Sequence, residues 1–368
     1  MFNSKEAVST YNLKLKDGIM DFSGSEIIYR KIAIEKGDLT PGPRLPYTIH
    51  EVQTARKPEA FIKFMESNFP DAETREAMLY YLSLIPTMET GFKYFGVFYG
   101  GYATGKTATV EVMRKVFPGC IENIPHEVLF KKKSAALASI PLNFADKGAG
   151  VIPECPHDVP ICVPTIKKLV GGDTITVRKL YESPRDIIPT AQIIICTSKV
   201  IRFDAYDAGL DKRLLVIPFL QKHERENPQT KLLSEIFIDL QEEYPGIARL
   251  LIEYFINLKE AHNGIIPQSA ECLKYKKWFI EKPEIVIFAD ANIEIDTTGN
   301  NFETVTAVYD RYLKFFGITD RDNEGLSRSK FIRYLKQEYR EIELRQKIVD
   351  DQPAVCFFNL KLKSETDV

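Results

Sequence analysis

Residues 94–117 read YFGVFYGGYATGKTATVEVMRKVF, and the organisation of the chain can be worked outward from them. At their centre, Gly100-Gly101-Tyr102-Ala103-Thr104-Gly105-Lys106-Thr107 is a glycine, four residues, then Gly-Lys-Thr, the spacing of a phosphate loop. Residues 95–99 are aromatic, β-branched or glycine, as in a buried strand, and residues 108–117 carry apolar side chains at helical intervals. Strand, loop, helix is the order phosphate binding requires. Glycines let backbone N–H groups converge on phosphate oxygens, and the helix N-terminus adds its dipole. Lys106 would reach the outer phosphates of a nucleotide, and the Thr107 hydroxyl would ligate Mg²⁺.

The rest of the composition sets bounds. At 368 residues the chain has room for two or three domains, and 44% hydrophobic with 27% charged residues is ordinary for a soluble protein. No apolar run approaches the roughly 20 residues needed to cross a bilayer, and the first residues lack the apolar core of a signal peptide. A cytoplasmic protein with no membrane partner is expected. The six cysteines form no Cys-x-x-Cys pair, so neither a disulfide framework nor a zinc ribbon is indicated. A formal net charge of −2 gives no general case for nucleic-acid binding, which would have to rest on local basic patches.

Ahead of the loop, residues 1–50 alternate short apolar runs with turn signals, and residues 58–87 show helical spacing in two stretches parted by Pro70-Asp71. Residues 94–220 alternate strand-like and helix-like segments, which predicts a mainly parallel α/β sheet with buried strands at 151–153, 193–196 and 214–218. Helical patterning returns over 230–280. A further module begins near residue 300: a helix at 305–316, a second at 327–339 with Ser327 as N-cap, then two strand-like runs. Helix, helix, hairpin is the order of a winged helix, and Arg328, Lys330, Arg333 and Lys336 make its second helix basic. A solvated face in a small capping domain fits the same pattern. The expected divisions are 1–90, a β-rich segment and helical collar; 91–225, the nucleotide domain; 226–299, a helical segment; and 300–368, a winged-helix-like module.

A hydrolase also needs an acid at the end of a neighbouring strand, and Gly150-Val151-Ile152-Pro153-Glu154 offers Glu154. More specific runs follow: KKLVGGDTITVRKL at 167–180, PTAQIIICTS at 189–198 and LDKRLLVIPF at 210–219. Together with the loop they resemble the superfamily 3 helicases, AAA+ motors, in particular the helicase half of satellite-phage and poxvirus-type primase-helicases. The family's Lys-x-x-x-Gly-Gly-Asp-x-Ile-x-x-Arg signature stands intact from Lys167 to Arg178. The resemblance implies an ATP- and Mg²⁺-dependent enzyme, a ring-forming and hexameric DNA helicase that replicates a phage, plasmid or other mobile element. It implies single-stranded and forked DNA as partners, in a bacterial or virus-infected cell, with origin DNA or a loader held by the C-terminal module.

By the same resemblance Glu154 is the catalytic acid and a second ligand of Mg²⁺, and Ser198 positions the attacking water where the family usually has Asn. Arg213 is the arginine that reaches a neighbouring subunit's nucleotide. Arg178, Lys179 and Arg185 belong to a β-hairpin that grips DNA in the ring's pore; an exposed basic hairpin can track phosphates without reading bases. Two other readings stay open. One is an initiator that binds origin DNA and remodels it without processive unwinding; the other is a small-molecule kinase, which would need neither Gly171-Gly172-Asp173 nor Arg213.

Overall fold

The computed structural model describes residues 11–31, 43–88, 91–130, 147–156, 160–177, 185–223, 230–280, 284–296, 301–315, 326–339, 341–349 and 351–363. The chain divides into two compact units, Met1–Ile280 and Glu281–Val368.

The first unit begins with β1 (Asn12–Leu15), β2 (Gly18–Asp21) and β3 (Ile28–Lys31), an antiparallel meander in that order. Three helices follow: α1 (Ile49–Thr54), α2 (Glu59–Asn68) and α3 (Ala72–Ser83). Their starts are fixed locally. Thr48 and Glu51 form a reciprocal capping box on α1, and the Asp71 carboxylate accepts from the Thr74 N–H at 2.8 Å to cap α3. Each satisfies helix donors that have no partner within the helix.

The nucleotide stretch then runs as β4 (Phe95–Tyr99), α4 (Lys106–Val116), β5 (Ile121–Asn123), α5 (Glu127–Phe130) and β6 (Ala149–Ile152). It continues through α6 (Val163–Gly171), β7 (Ile175–Val177), β8 (Arg185–Ile187), β9 (Gln192–Thr197), α7 (Ala208–Arg213) and β10 (Leu214–Pro218). Five of these strands form one sheet in the order β10-β4-β9-β6-β5, and every pairing is parallel. Parallel strands joined through helices are covered on both faces, which is why Gln192–Thr197, QIIICT, is buried at all six positions. One core packs Phe98, Val112, Met113 and Ile194 against α3, and the other packs Phe95, Val97, Ile193 and Ile195 against α6 and α7. β7 and β8 stand apart as a two-stranded antiparallel ribbon, Val177 opposite Arg185.

One contact ties the helices to the sheet. The buried Tyr81 hydroxyl of α3 accepts from the Gly96 N–H at 2.8 Å and donates to the Ile193 carbonyl at 2.6 Å. Gly96 lies on β4 and Ile193 on its neighbour β9, so a side-chain oxygen bridges two backbone groups of adjacent strands. A Cβ at Gly96 would come within 2.5 Å of the Tyr81 ring, so this strand position requires glycine. The unit closes with α8 (Leu233–Leu240), α9 (Tyr244–Glu260) and α10 (Ala270–Ile280); α9 packs on α3, and α10 lies along β10.

The second unit holds α11 (Glu284–Asn292), β11 (Ile293–Ile295), β12 (Phe302–Thr304), α12 (Val305–Phe315), α13 (Arg328–Glu338), β13 (Glu343–Val349), β14 (Gln352–Phe358) and β15 (Leu360–Leu362). β13 and β14 form a hairpin whose turn places Asp351 at φ +61°, and β12 pairs with the far side of β14. Phe288, Tyr312, Phe331 and Phe357 centre its core. Ser327 stands at the N-cap of α13 with extended backbone, but its side chain makes no capping hydrogen bond, contrary to the sequence expectation.

Candidate functional site

All five strands of the parallel sheet point the same way, so their C-terminal ends share one edge, where ligands of open α/β sheets bind. The predicted loop residues lie there. Gly100 follows β4, its N–H donating to the Thr197 carbonyl at 3.1 Å, and Gly105 opens α4 at φ +90°. Ala103 also has positive φ, +56°, a conformation that strains a residue with a Cβ. Thr104 is buried and donates to the Gly101 carbonyl at 3.0 Å. Tyr102 is 85% exposed, and the Thr107 side chain faces solvent in the first turn of α4.

Lys106 folds over its own loop. Its ammonium donates to the Gly100 and Gly101 carbonyls, both at 2.6 Å, and to Thr104 Oγ1 at 3.1 Å. Partial burial holds its pKa below the ordinary lysine range, with the nearby Cys196 thiol opposing that shift. The Cys196 thiol is itself pushed up to about 11 by burial. A half-buried ammonium ringed by carbonyl oxygens, beside the free N–H groups of a helix start, is a cradle for anionic oxygen.

Two residues that the motif does not contain brace this loop from outside. The His223 N–H donates to the Ala103 carbonyl at 2.8 Å, and its ring Nε2 lies 2.8 Å from Asn68 Oδ1. Asn68 is buried at the end of α2, and a Cβ on Gly105 would come within 2.3 Å of its Oδ1. Burial also lowers the His223 pKa, favouring the neutral ring. No local sequence signal marked either residue, since 155 positions separate them.

Of the other predicted residues, Ser198 and Glu154 reach the same edge. Tyr99 pairs with Thr197, and the Cys155 N–H donates to the Cys196 carbonyl at 3.2 Å, so Ser198 and Glu154 lie beyond the ends of β9 and β6. Both are exposed. With about 4.8 Å between strands, Ser198 is offset from the loop by one strand and Glu154 by two. The Thr107 hydroxyl and the Glu154 carboxylate are both open to water.

Arg213 is not at this edge. It ends α7 just before β10, whose first residue pairs with Phe95, about 17 Å along the strands from Gly100. Its Nη1 donates to the Gly209 carbonyl at 2.9 Å, while its buried Nε has no hydrogen-bond partner among the described residues. Arg185 starts β8, and Arg178 and Lys179 lie outside the described residues.

A glycine loop followed by Lys-Thr at a helix start, set at the edge of a five-stranded parallel sheet, defines a P-loop-like α/β fold. No family profile matches the chain. Over 177 residues, 47% of its length, the chain is 29% identical to "Putative helicase L207/L206" of Acanthamoeba polyphaga mimivirus. The chain spans 18% of that viral protein's length. Two solved structures of the NrS-1 C-terminal region align over 94% of the chain at 14% identity, with TM-scores of 0.49 and 0.44. Among the described residues, no helix is long and apolar enough to cross a membrane.

Proposed function

We propose that this chain is an ATP-hydrolysing DNA helicase motor of the superfamily 3, AAA+ type, acting as a hexameric ring in the replication of a phage, plasmid or other mobile element. The observation that carries the reading is the strand order. It sets Ser198 and Glu154 on successive strands to one side of the phosphate loop, and leaves Arg213 at the opposite edge.

In this reading, loop amides and Lys106 bind the phosphates of ATP, with Thr107 and Glu154 holding Mg²⁺. The bound ion supplies positive charge to the outer phosphates. Glu154 takes a proton from the attacking water, and Ser198, which can both donate and accept, orients that water. An arginine side chain spans far less than about 17 Å, so Arg213 cannot serve its own loop. It serves a neighbour's, stabilising charge on the transferred phosphoryl group. Arg185, at the start of β8, contacts the DNA backbone together with Arg178 and Lys179. A strand, two helices and a hairpin, with β12 paired to β14, support a winged helix in residues 300–368. Arg328, Lys330, Arg333 and Lys336, exposed on α13, would there meet origin DNA or a loader. Residues 1–90, 91–225 and 226–299 then serve as collar, motor and following helical segment.

ATP hydrolysis measured with and without single-stranded DNA tests the reading, with Lys106→Ala as the blank. DNA stimulation that vanishes in the variant supports it, and hydrolysis absent from both proteins refutes it. The alternative, an origin-binding ATPase that remodels DNA without unwinding, draws on the basic face of α13. Strand displacement on a forked substrate separates the two.

A further inference from the structure

We propose that Tyr99, Tyr275 and Trp278 form a stacking platform for the base of the nucleotide held at the phosphate loop. The inference rests on the nucleotide reading above and assigns the part of the ligand that the loop does not touch.

The direction of the bound nucleotide follows from the strand order. Ser198 and Glu154 lie on β9 and β6, so the phosphate undergoing attack points to that side of β4. The sugar and base must then extend the other way, toward β10. Tyr99 is the last residue of β4, joined directly to Gly100, and α10 lies along β10. Three rings meet there. The Tyr99 centroid is 5.4 Å from Tyr275 and 6.5 Å from Trp278, and Tyr275 is 4.5 Å from Trp278. Phe279, fully buried 5.5 Å from Tyr99, backs the group from the core.

The cluster is open where a base could approach. Trp278 is 46% exposed, and Tyr99 and Tyr275 are each partly exposed. An indole is costly to leave in water, and the rest of α10 provides no packing reason for it, because Cys272, Lys276 and Phe279 form the helix's buried face. The Lys274 ammonium lies 5.4 Å from the Tyr275 ring centroid and is paired with Glu271 at 3.4 Å. Every nucleobase has a π-face, so stacking holds purines and pyrimidines with little discrimination. The ligand class is therefore nucleoside di- and triphosphates in general, with their phosphates read by the loop and their bases held without a hydrogen-bonded code.

Trp278 is the sole tryptophan of the chain, so its fluorescence reports on the platform directly. The experiment titrates the full chain with ADP and with inorganic tripolyphosphate, following fluorescence and, in parallel, calorimetry. ADP should change Trp278 emission, and tripolyphosphate should bind without doing so. Trp278→Ala should weaken ADP about tenfold while leaving tripolyphosphate affinity unchanged, and Trp278→Phe, which keeps a ring, should recover most of the loss. An unchanged ADP affinity in Trp278→Ala overturns the platform, as does an equal loss of both ligands. Quenching by a thymidine oligonucleotide but not by ADP also overturns it and reassigns the rings to nucleic acid. Failure of the phosphate-loop reading looks different: neither ligand binds the wild-type chain, or both bind Lys106→Ala equally well, and the platform falls with it.

Discussion

Tyr81→Phe removes one oxygen atom from the interior of the first unit. That oxygen accepts from Gly96 on β4 and donates to Ile193 on β9, and the tyrosine is fully buried. Without it, one backbone donor and one backbone acceptor are left unmet beyond the reach of water. The strands cannot close on each other, because the ring edge still sits against Gly96. Each unmet group costs about 1–3 kcal/mol, so the pair costs about 2–6 kcal/mol. For a unit of this size each kcal/mol lowers Tm by about 2–4 °C, which predicts a fall of roughly 4–24 °C. Urea denaturation should show the loss as a lower midpoint at unchanged slope. Tyr80→Phe is the control: its hydroxyl bonds to Asn257 and His262 in a partly exposed setting that water can fill, and about 1 kcal/mol or less is expected. If both variants lose the same small amount, the bridging account of Tyr81 is refuted.

Gly105→Ala places a Cβ at φ +90° and against Asn68, so nucleotide affinity should fall about tenfold or more with little change in Tm; an unchanged ADP titration would count against the loop geometry. Arg213→Ala should abolish hydrolysis yet keep ADP affinity within about threefold, and hydrolysis that persists in the variant refutes its role in trans. His223 has a folded pKa below its unfolded value, so the unfolded chain takes up its proton first as pH falls. Its contribution is present above the ordinary histidine range and is lost on acidification through the lowered pKa. Between about pH 7.5 and about pH 5.5 the wild-type urea midpoint should therefore drop further than that of His223→Gln, and equal drops would refute the assignment.

The phosphate loop was legible because its chemistry is local: spacing, glycines and flanking strand and helix lie within one short stretch. Helix breaks at Pro70-Asp71 and buried strands such as Ile193-Ile194-Ile195 were legible for the same reason. Lateral order was not, since a buried strand reads the same whichever neighbours flank it. That β9 inserts between β4 and β6 emerges only in three dimensions. Asn68 and His223 were missed because an asparagine ending a helix and a histidine after a strand carry no pattern until the chain folds them onto Ala103 and Gly105. β12, three residues of an edge strand, is too short to show a period.

The link between the β7–β8 ribbon and the sheet is tied down at Thr190 and at Gln192, the first residue of β9. Thr190 Oγ1 donates to the Lys147 carbonyl at 2.9 Å, and the Gln192 N–H donates to the Gly148 carbonyl at 2.9 Å. Only four residues, 188–191, separate β8 from β9, a strand buried along its length and paired on both sides. Mechanically the ribbon is a short cantilever rooted in the middle of the sheet: a load applied to it is delivered to a strand flanked by β4 and β6 rather than to an edge.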